Sequence, residues 1–298
     1  MPSLPARIVK ALLKIQPQGW ARATITEMRT RQEKQARWMR VSTNISLTPI
    51  IIDGNTPVQA AMVSAPGPTS GVMLYLHGGA YVVGSVNSHR ALLSSLARVT
   101  RMKILAIDYR LAPEDPFPAA LNDILTAYRW LLSTGTVPGQ IVIAGDSAGG
   151  GLALAAIAAL RDSGDQLPAC ALCFSPWLDL TLSSKSINFN AKADPLLSRA
   201  VLATYADLYA GDHELSQPLI SPFFADLEGF PPLLVHVGGD EIFLDEARGL
   251  AEAARTAGVD VELTIWPGLF HVFQLVPFLP EAKQSLNQAG QFIVHHLT

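Results

Sequence analysis

The stretch that decides the fold is Gly145-Asp146-Ser147-Ala148-Gly149. An apolar run, Ile141-Val142-Ile143-Ala144, precedes it, and an alanine- and leucine-rich helix pattern follows at 152–160. A strand, a glycine turn around a serine and a helix predict a nucleophile elbow, a turn that lifts the serine Oγ clear of a sheet. The N–H of Ala148 would then lie at a helix start, where the helix dipole favours developing negative charge. The stretch therefore predicts an α/β fold with Ser147 as a nucleophile.

The rest of the chain supports that fold class. Strand patterns at 46–52, 58–63 and 72–76 are separated by proline and glycine clusters, as hairpin turns would be. Later strand patterns alternate with helix patterns, and these strands are at 104–107, 141–144, 169–174, 233–237 and 261–266. Antiparallel strands followed by this alternation predict a mostly parallel central sheet with helices on both faces.

Two regions depart from the alternation. Residues 1–40 have helix patterns broken at 17–19, and residues 183–215 lie between two core strands but offer only a helix pattern. We expect 41–298 to form the catalytic domain, with 183–215 inserted above the carboxyl edge of the sheet, where ligands of α/β proteins bind. The N-terminal helices and this insertion would together form a helical cap.

Composition narrows the function classes. The 298 residues are 49% apolar and 16% charged, with a net charge of −3, so a large core is expected and nucleic acid is not indicated as a partner. No apolar run reaches the roughly 18 residues of a transmembrane helix, and no secretory signal is evident. Residues 1–40 hold nine Lys and Arg against two Glu, a pattern of a solvated helix face or of a helix at a membrane surface.

The spacing of the two cysteines is informative about the cellular compartment. Cys170 and Cys173 lie three residues apart in an apolar strand pattern, so their side chains face opposite sides and are poorly placed to form a disulfide. Structural thiols fit a reducing environment, and we expect a cytoplasmic protein.

A second motif follows the strand pattern that ends at residue 76. It is His77-Gly78-Gly79-Ala80, which matches the oxyanion loop of lipases and esterases. Successive glycines allow the backbone to approach a ligand closely. We expect the N–H groups of Gly78, Gly79 and Ala148 to form an oxyanion hole, in which each donor contributes about 3 kcal/mol to transition-state stabilisation.

A serine nucleophile needs a base and an acid. Of seven histidines, His271 follows the strand pattern 261–266 through a short turn, which places it at the carboxyl end of the sheet. The others, such as His89, lie in polar connections, in the oxyanion motif, inside a strand or on the last helix. The acid should follow strand 233–237 and accept the Nδ1–H of the histidine. That loop offers Asp240, Glu241, Asp245 and Glu246, among which spacing alone does not choose.

These motifs together resemble the bacterial hormone-sensitive-lipase family of α/β-hydrolase carboxylesterases. The likeness extends from about residue 40 to the end of the chain. The matching segments are His77-Gly78-Gly79-Ala80-Tyr81, Asp108-Tyr109-Arg110-Leu111-Ala112-Pro113-Glu114, Gly145-Asp146-Ser147-Ala148-Gly149-Gly150 and Pro267 through His271-Val272-Phe273.

The resemblance points to one acid. In that family the acid opens an Asp-Pro-Leu-x-Asp-Glu segment about 30 residues before the histidine, and here Glu241 opens the matching segment, 30 residues before His271. Glutamate replaces the usual aspartate and Ile242 the proline, so Asp240 remains the alternative acid. The resemblance also implies a two-part cap over the acyl and alcohol pockets. Trp38, Met39, Phe189 and Leu197 are candidate pocket residues, although cap-to-body packing explains them equally well.

The resemblance further implies an activity. We expect a serine carboxylesterase that needs no cofactor or metal and hydrolyses short- to medium-chain acyl esters through an acyl-enzyme. The alternatives are an amidase or lactonase with the same triad, or a catalytically silent receptor for a small ligand. The expected partner is a small-molecule ester, and a homodimer is expected by analogy with the family.

Overall fold

The computed structural model describes residues 1–15, 23–36, 41 and 44–297. Its strands are β1 (Ser46–Ile52), β2 (Val58–Ser64), β3 (Val72–Leu76), β4 (Lys103–Asp108), β5 (Ile141–Asp146), β6 (Cys170–Phe174), β7 (Leu233–Gly238) and β8 (Val261–Trp266). Its helices are α1 (Leu4–Ile15), α2 (Ile25–Ala36), α3 (Val86–Thr100), α4 (Ala119–Ser133), α5 (Ala148–Asp162), α6 (Ser186–Phe189), α7 (Arg199–Ala210), α8 (Leu244–Thr256) and α9 (Pro280–His296).

The strands form one sheet in the order β1-β2-β4-β3-β5-β6-β7-β8. β2 runs antiparallel to both β1 and β4, and all other neighbours are parallel. This confirms the predicted mostly parallel sheet. Because β3, β5, β7 and β8 run the same way, the loops that follow them meet at one edge of the sheet. In chain order, these four loops hold the oxyanion motif, the elbow, the candidate acid and the candidate base.

The sheet is covered on both faces, as its sequence predicts. The strands β5, β6 and β7 are buried at every position, which explains their continuous apolar runs. One core cluster lies between the sheet and α4, α5 and α8, and a second lies between the opposite face and α3 and α9. The edge strand β1 is exposed at most positions.

The two regions outside the alternation supply helices above the carboxyl edge. Residues 183–215 contain α6 and α7 and no strand, as the sequence indicated. α1 packs through Ala6, Val9 and Leu13 against the segment after β8 and the start of α9. No helix in the described ranges is long and apolar enough to cross a bilayer. Cys170 and Cys173 are buried and form no disulfide.

Candidate active site

The elbow forms between β5 and α5 and has strained geometry. Ser147 has φ +54° and ψ −122°, a backbone conformation that side-chain-bearing residues rarely adopt. Glycines on both sides make the turn sterically possible: a Cβ on Gly145 would collide with the carbonyl of Gly149, and a Cβ on Gly149 would collide with the carbonyl of Leu76. The turn places the Ser147 Oγ in the wall of a pocket.

An unbroken chain of hydrogen bonds connects three side chains. Ser147 Oγ lies 2.9 Å from His271 Nε2, and His271 Nδ1 lies 2.8 Å from Glu241 Oε2. Because the carboxylate can only accept, His271 donates its Nδ1–H and its Nε2 accepts the serine proton. Burial acts to lower the pKa of His271, but the hydrogen bond to Glu241 and its charge outweigh burial and raise the pKa above the usual histidine value. The geometry suits a serine, a base and an orienting acid.

The structure distinguishes the two candidate acids. The second oxygen of Glu241 accepts hydrogen bonds from Ser175 Oγ, at 2.6 Å, and from the N–H of Gly238. Ser175 Oγ also accepts the N–H of Val272 at 3.1 Å, which ties the acid to the loop of the base. Asp240 instead forms an ion pair with Lys10 of α1. Glu241 therefore reaches the histidine, whereas Asp240 anchors α1.

A buried carboxylate from the cap insertion supports the same loop. Asp194 accepts the N–H of Ile242 at 3.1 Å with one oxygen. Its other oxygen accepts the N–H groups of Leu196 and Leu197, at 2.9 and 3.1 Å. Burial raises the pKa of Asp194. Asp194 thus links the acid loop to pocket-lining residues of the insertion, a role that no sequence signal indicated.

The oxyanion loop differs in one respect from the expectation. The N–H of Gly78 donates to Asp146 Oδ1 at 3.1 Å, so it is already occupied and cannot be the expected oxyanion donor. The N–H groups of Gly79 and Ala148 donate to no acceptor within the part of the chain that the structure describes. The same holds for Ala80, which has φ +51° and lies in the pocket wall beside Gly79.

Asp146 and His89 form a buried pair beside the nucleophile. Asp146 Oδ2 lies 3.3 Å from His89 Nε2, and Asp146 Oδ1 also accepts the hydroxyl of Tyr75 at 2.6 Å. Burial acts to lower the pKa of His89, but Asp146 outweighs it and raises that pKa. The interpretation of His89 as part of a polar connection was wrong. A capping box at Ser85 starts α3 at residue 86, and His89, one turn later, faces inward to the pocket.

The pocket above Ser147 has a volume of about 300 Å³. Its floor includes the oxyanion loop and His271. Further walls come from Leu13 of α1, Gln32 of α2, residues 195–198, and Val201, Leu202 and Tyr205 of α7. A larger depression, of about 740 Å³, lies between residues 225–228 and α8, but no serine or histidine lines it. Volume alone would therefore select the wrong cavity.

The predictions for the four candidate pocket residues fared differently. Leu197 lines the pocket. Phe189 does not, and that prediction was wrong: in the short helix α6 the neighbouring Ile187 is buried, while Phe189 faces outward and is 58% exposed. Trp38 and Met39 lie outside the described residues.

The chain is similar to known α/β hydrolases and esterases. A family model described as the alpha/beta hydrolase fold matches residues 73–275. An acetyl-hydrolase of Streptomyces hygroscopicus is 46% identical over 222 residues, which cover 74% of this chain and 74% of that protein. An esterase of Acinetobacter venetianus is 39% identical over 250 residues, which cover 83% of this chain and 82% of that protein.

Solved structures give the same assignment over the full length. The crystal structure of an esterase from the bacterial hormone-sensitive lipase family is 41% identical, with a TM-score of 0.93 and complete coverage of both chains. The family model spans more than half of the chain, and the relatives are carboxylic ester hydrolases by name. The chain therefore belongs to the bacterial hormone-sensitive-lipase family of α/β-hydrolase carboxylesterases.

Proposed function

We propose that this carboxylic ester hydrolase cleaves short- to medium-chain acyl esters through an acyl-enzyme, with Ser147, His271 and Glu241 as its triad. The observation that carries the proposal is the hydrogen-bond chain from Glu241 to Ser147 Oγ, which opens on the 300 Å³ pocket. The raised pKa of His271 supports its role as the base, because a stronger base takes the serine proton more readily.

In the first half-reaction, His271 Nε2 takes the proton of Ser147 Oγ while that oxygen attacks the ester carbonyl carbon. The carbonyl oxygen becomes an oxyanion. Its proposed donors are the N–H groups of Gly79 and Ala148, with Ala80 in place of Gly78, since these groups have no acceptor among the described residues. Glu241 stabilises the imidazolium without taking its proton. His271 then protonates the alcohol, which leaves, and the acyl group remains on Ser147.

In the second half-reaction, a water molecule replaces the alcohol. His271 takes a proton from this water as it attacks the acyl carbonyl, and then returns the proton to Ser147 Oγ as the acid product leaves. The steps use only side chains, backbone N–H groups and water, so we propose a reaction without cofactor or metal.

The proposed acyl length is supported by the pocket. A volume of about 300 Å³ lies at the low end for small-molecule pockets. The pocket is lined by apolar side chains of the proposed cap, such as Leu13, Leu197 and Leu202, which suit a short alkyl chain. The Streptomyces relative is named for hydrolysis of an acetyl group.

Three further statements remain proposals. Residues 1–40 and 183–215 would act as the cap, because both regions supply pocket walls. The cytoplasm is the proposed compartment, because buried unpaired thiols suit a reducing environment. The homodimer stays a prediction, which multi-angle light scattering would test.

The test is hydrolysis of p-nitrophenyl esters from acetate to palmitate, by the wild type and by Ser147→Ala in parallel. We expect turnover of the short esters, a decline with acyl length, and a loss of at least about 10⁴-fold in kcat for the alanine variant. Circular dichroism would verify that the variant is folded. A folded wild type that is inert on every ester, or a Ser147→Ala variant with wild-type turnover, would contradict the proposal. A matched p-nitroanilide distinguishes an amidase.

A further inference from the structure

Helix α1 is apolar on two opposite faces, of which the body covers only one. Ala6, Val9 and Leu13 pack against the body. The other face carries an aliphatic stripe at spacings of four and three residues, with exposed fractions of 65% for Leu4, 51% for Ile8, 58% for Leu12 and 77% for Ile15. Exposing four large aliphatic side chains in one row is unfavourable in water, so the stripe indicates a contact surface.

The helix that presents this stripe is held firmly on the body. Lys10 forms an ion pair with Asp240, the residue next to the proposed acid. Ser3 donates its hydroxyl to Glu281 of α9 at 2.9 Å and also donates its backbone N–H to the same carboxylate. The stripe is therefore displayed by a docked helix, and contact with a partner does not require α1 to fold first.

Basic side chains flank the stripe. Arg7 and Lys14 are exposed on one side of it, and Lys14 Nζ donates to the backbone carbonyl of Lys192 in the inserted segment. The first acidic residue in the sequence is Glu27. An aliphatic stripe with a cationic flank is complementary to the surface of an anionic bilayer, where alkyl chains lie beneath phosphate groups.

The helix that carries the stripe also contributes to the substrate pocket. Leu13, on the covered face of the same helix, lines the pocket, and so does Leu196, which is 40% exposed. We propose that α1 is a lipid-docking helix, whose stripe inserts into an anionic phospholipid surface and holds the pocket lined by Leu13 close to that surface. This goes beyond the proposed hydrolysis and does not depend on it.

The test is sedimentation with vesicles of phosphatidylglycerol and, separately, of phosphatidylcholine. We expect the wild type to sediment with phosphatidylglycerol vesicles at low salt and much less at high salt or with phosphatidylcholine. The double variant Ile8→Ser/Leu12→Ser should bind at least about tenfold more weakly, because it removes two inserted aliphatic side chains. The matched control is Val137→Ser/Val294→Ser, which changes two exposed aliphatic residues on other elements and should bind like the wild type.

Further measurements separate docking from fold and activity. Ser147→Ala should sediment like the wild type, so a failed esterase proposal would leave this result intact. The Ile8→Ser/Leu12→Ser variant should retain p-nitrophenyl butyrate turnover within about twofold in solution. Arg7→Gln/Lys14→Gln should lose the preference for phosphatidylglycerol. No sedimentation of the wild type, or equal sedimentation of the Ile8/Leu12 variant, would overturn the proposal. So would a dimer in light scattering that this variant converts to a monomer, because the stripe would then bind a second copy.

Discussion

At the residue scale, Glu241, the proposed acid, shows how a longer side chain can reach the histidine. A glutamate has one more methylene than the aspartate usual in the family. Its Oε1 accepts hydrogen bonds from Ser175 Oγ and the N–H of Gly238, which leaves Oε2 directed at His271. The neighbouring Asp240 is committed to Lys10.

Replacing this acid should affect both the rate and its pH dependence. We expect Glu241→Gln to lower kcat/KM by about 10³- to 10⁴-fold, because the wrong histidine tautomer is stabilised. The Glu241 carboxylate raises the pKa of His271, so its loss should lower that pKa, and the acid limb of the pH profile should move to lower pH. The control is Asp240→Asn, which should keep the wild-type acid limb. An Asp240→Asn variant as inactive as Glu241→Gln would reverse the assignment.

A second residue-scale prediction concerns Asp146, which holds the oxyanion loop through the N–H of Gly78 and pairs with His89. We expect Asp146→Ala to lower kcat by about ten- to a hundredfold with KM nearly unchanged, because the Gly78 N–H loses its acceptor and the adjacent N–H groups are no longer aligned with the oxyanion. The affinity for an alkyl boronic acid, which forms a tetrahedral adduct with the serine, should fall in parallel. A variant with lower thermal stability but unchanged kcat would show that Asp146 serves folding alone.

At the element scale, Arg29 attaches helix α2 to the body. Its Nε donates to the carbonyl of Val82 at 2.8 Å, its Nη2 donates to that of Ala112 at 2.9 Å, and both Nη groups bind the carboxylate of Glu114. Gln32, one turn later in α2, lines the pocket. The position of this pocket wall therefore depends on Arg29.

We expect Arg29→Met to loosen α2 at a cost of about 1–3 kcal/mol, since the methylene stem remains but the carbonyl and carboxylate partners lose their donor. KM for p-nitrophenyl butyrate should rise while the triad stays intact, and limited proteolysis should cleave the N-terminal region faster. The control is Glu114→Gln, which keeps the two carbonyl contacts and should have the smaller effect. Unchanged KM and proteolysis in Arg29→Met would refute the role of α2 as a pocket wall.

At the scale of the whole molecule, buried neutral histidines set the response to acid. His236 lies in β7 on the sheet, with its Nδ1 2.7 Å from Ser285 Oγ, and burial lowers its pKa to about 3. Burial likewise lowers the pKa of His77 to about 3. Both groups bind a proton near pH 6.5 only after unfolding, so the unfolded state gains protons, and stability is lost, as the pH falls from 6.5 towards 3.

This prediction can be measured as a difference between wild type and variant in the slope of the free energy of unfolding against pH. Each such histidine should remove about 2 kcal/mol of stability between pH 7 and pH 5. In His236→Gln, urea unfolding at pH 7, 6 and 5 should show a loss smaller by about that amount. Comparing slopes cancels the direct cost of the substitution. A variant with the same slope as the wild type would mean that His236 is protonated in the folded protein.

Much of the fold follows from local pattern. The strands β1 and β8 begin and end where their apolar runs predicted: Asp53-Gly54 follows β1, Gly258 lies just before β8, and Pro267-Gly268 follows β8. The position of β3 between β4 and β5 was not predictable, because strand order depends on packing between distant elements. The family motifs predicted the elbow and pointed to the proposed base.

What the sequence could not show depends on tertiary contacts. The direction of the Gly78 N–H is set by Asp146, 68 residues away in the chain. The inward turn of His89 depends on where α3 begins, and the link through Asp194 depends on how the insertion folds back over the acid loop. Hydrophobic periodicity reports on residues that are close along the chain, so it does not predict contacts between distant segments.

The two buried thiols also make the molecule convenient for site-specific labelling. Cys170 and Cys173 are the chain's two cysteines, and burial raises the pKa of each to about 12, so maleimide reagents at neutral pH encounter almost no thiolate. A Leu12→Cys variant would therefore carry one reactive thiol, on the exposed face of α1. An environment-sensitive dye attached there would change its emission on entering a lipid surface, and would report the orientation of the helix without modification of the native cysteines.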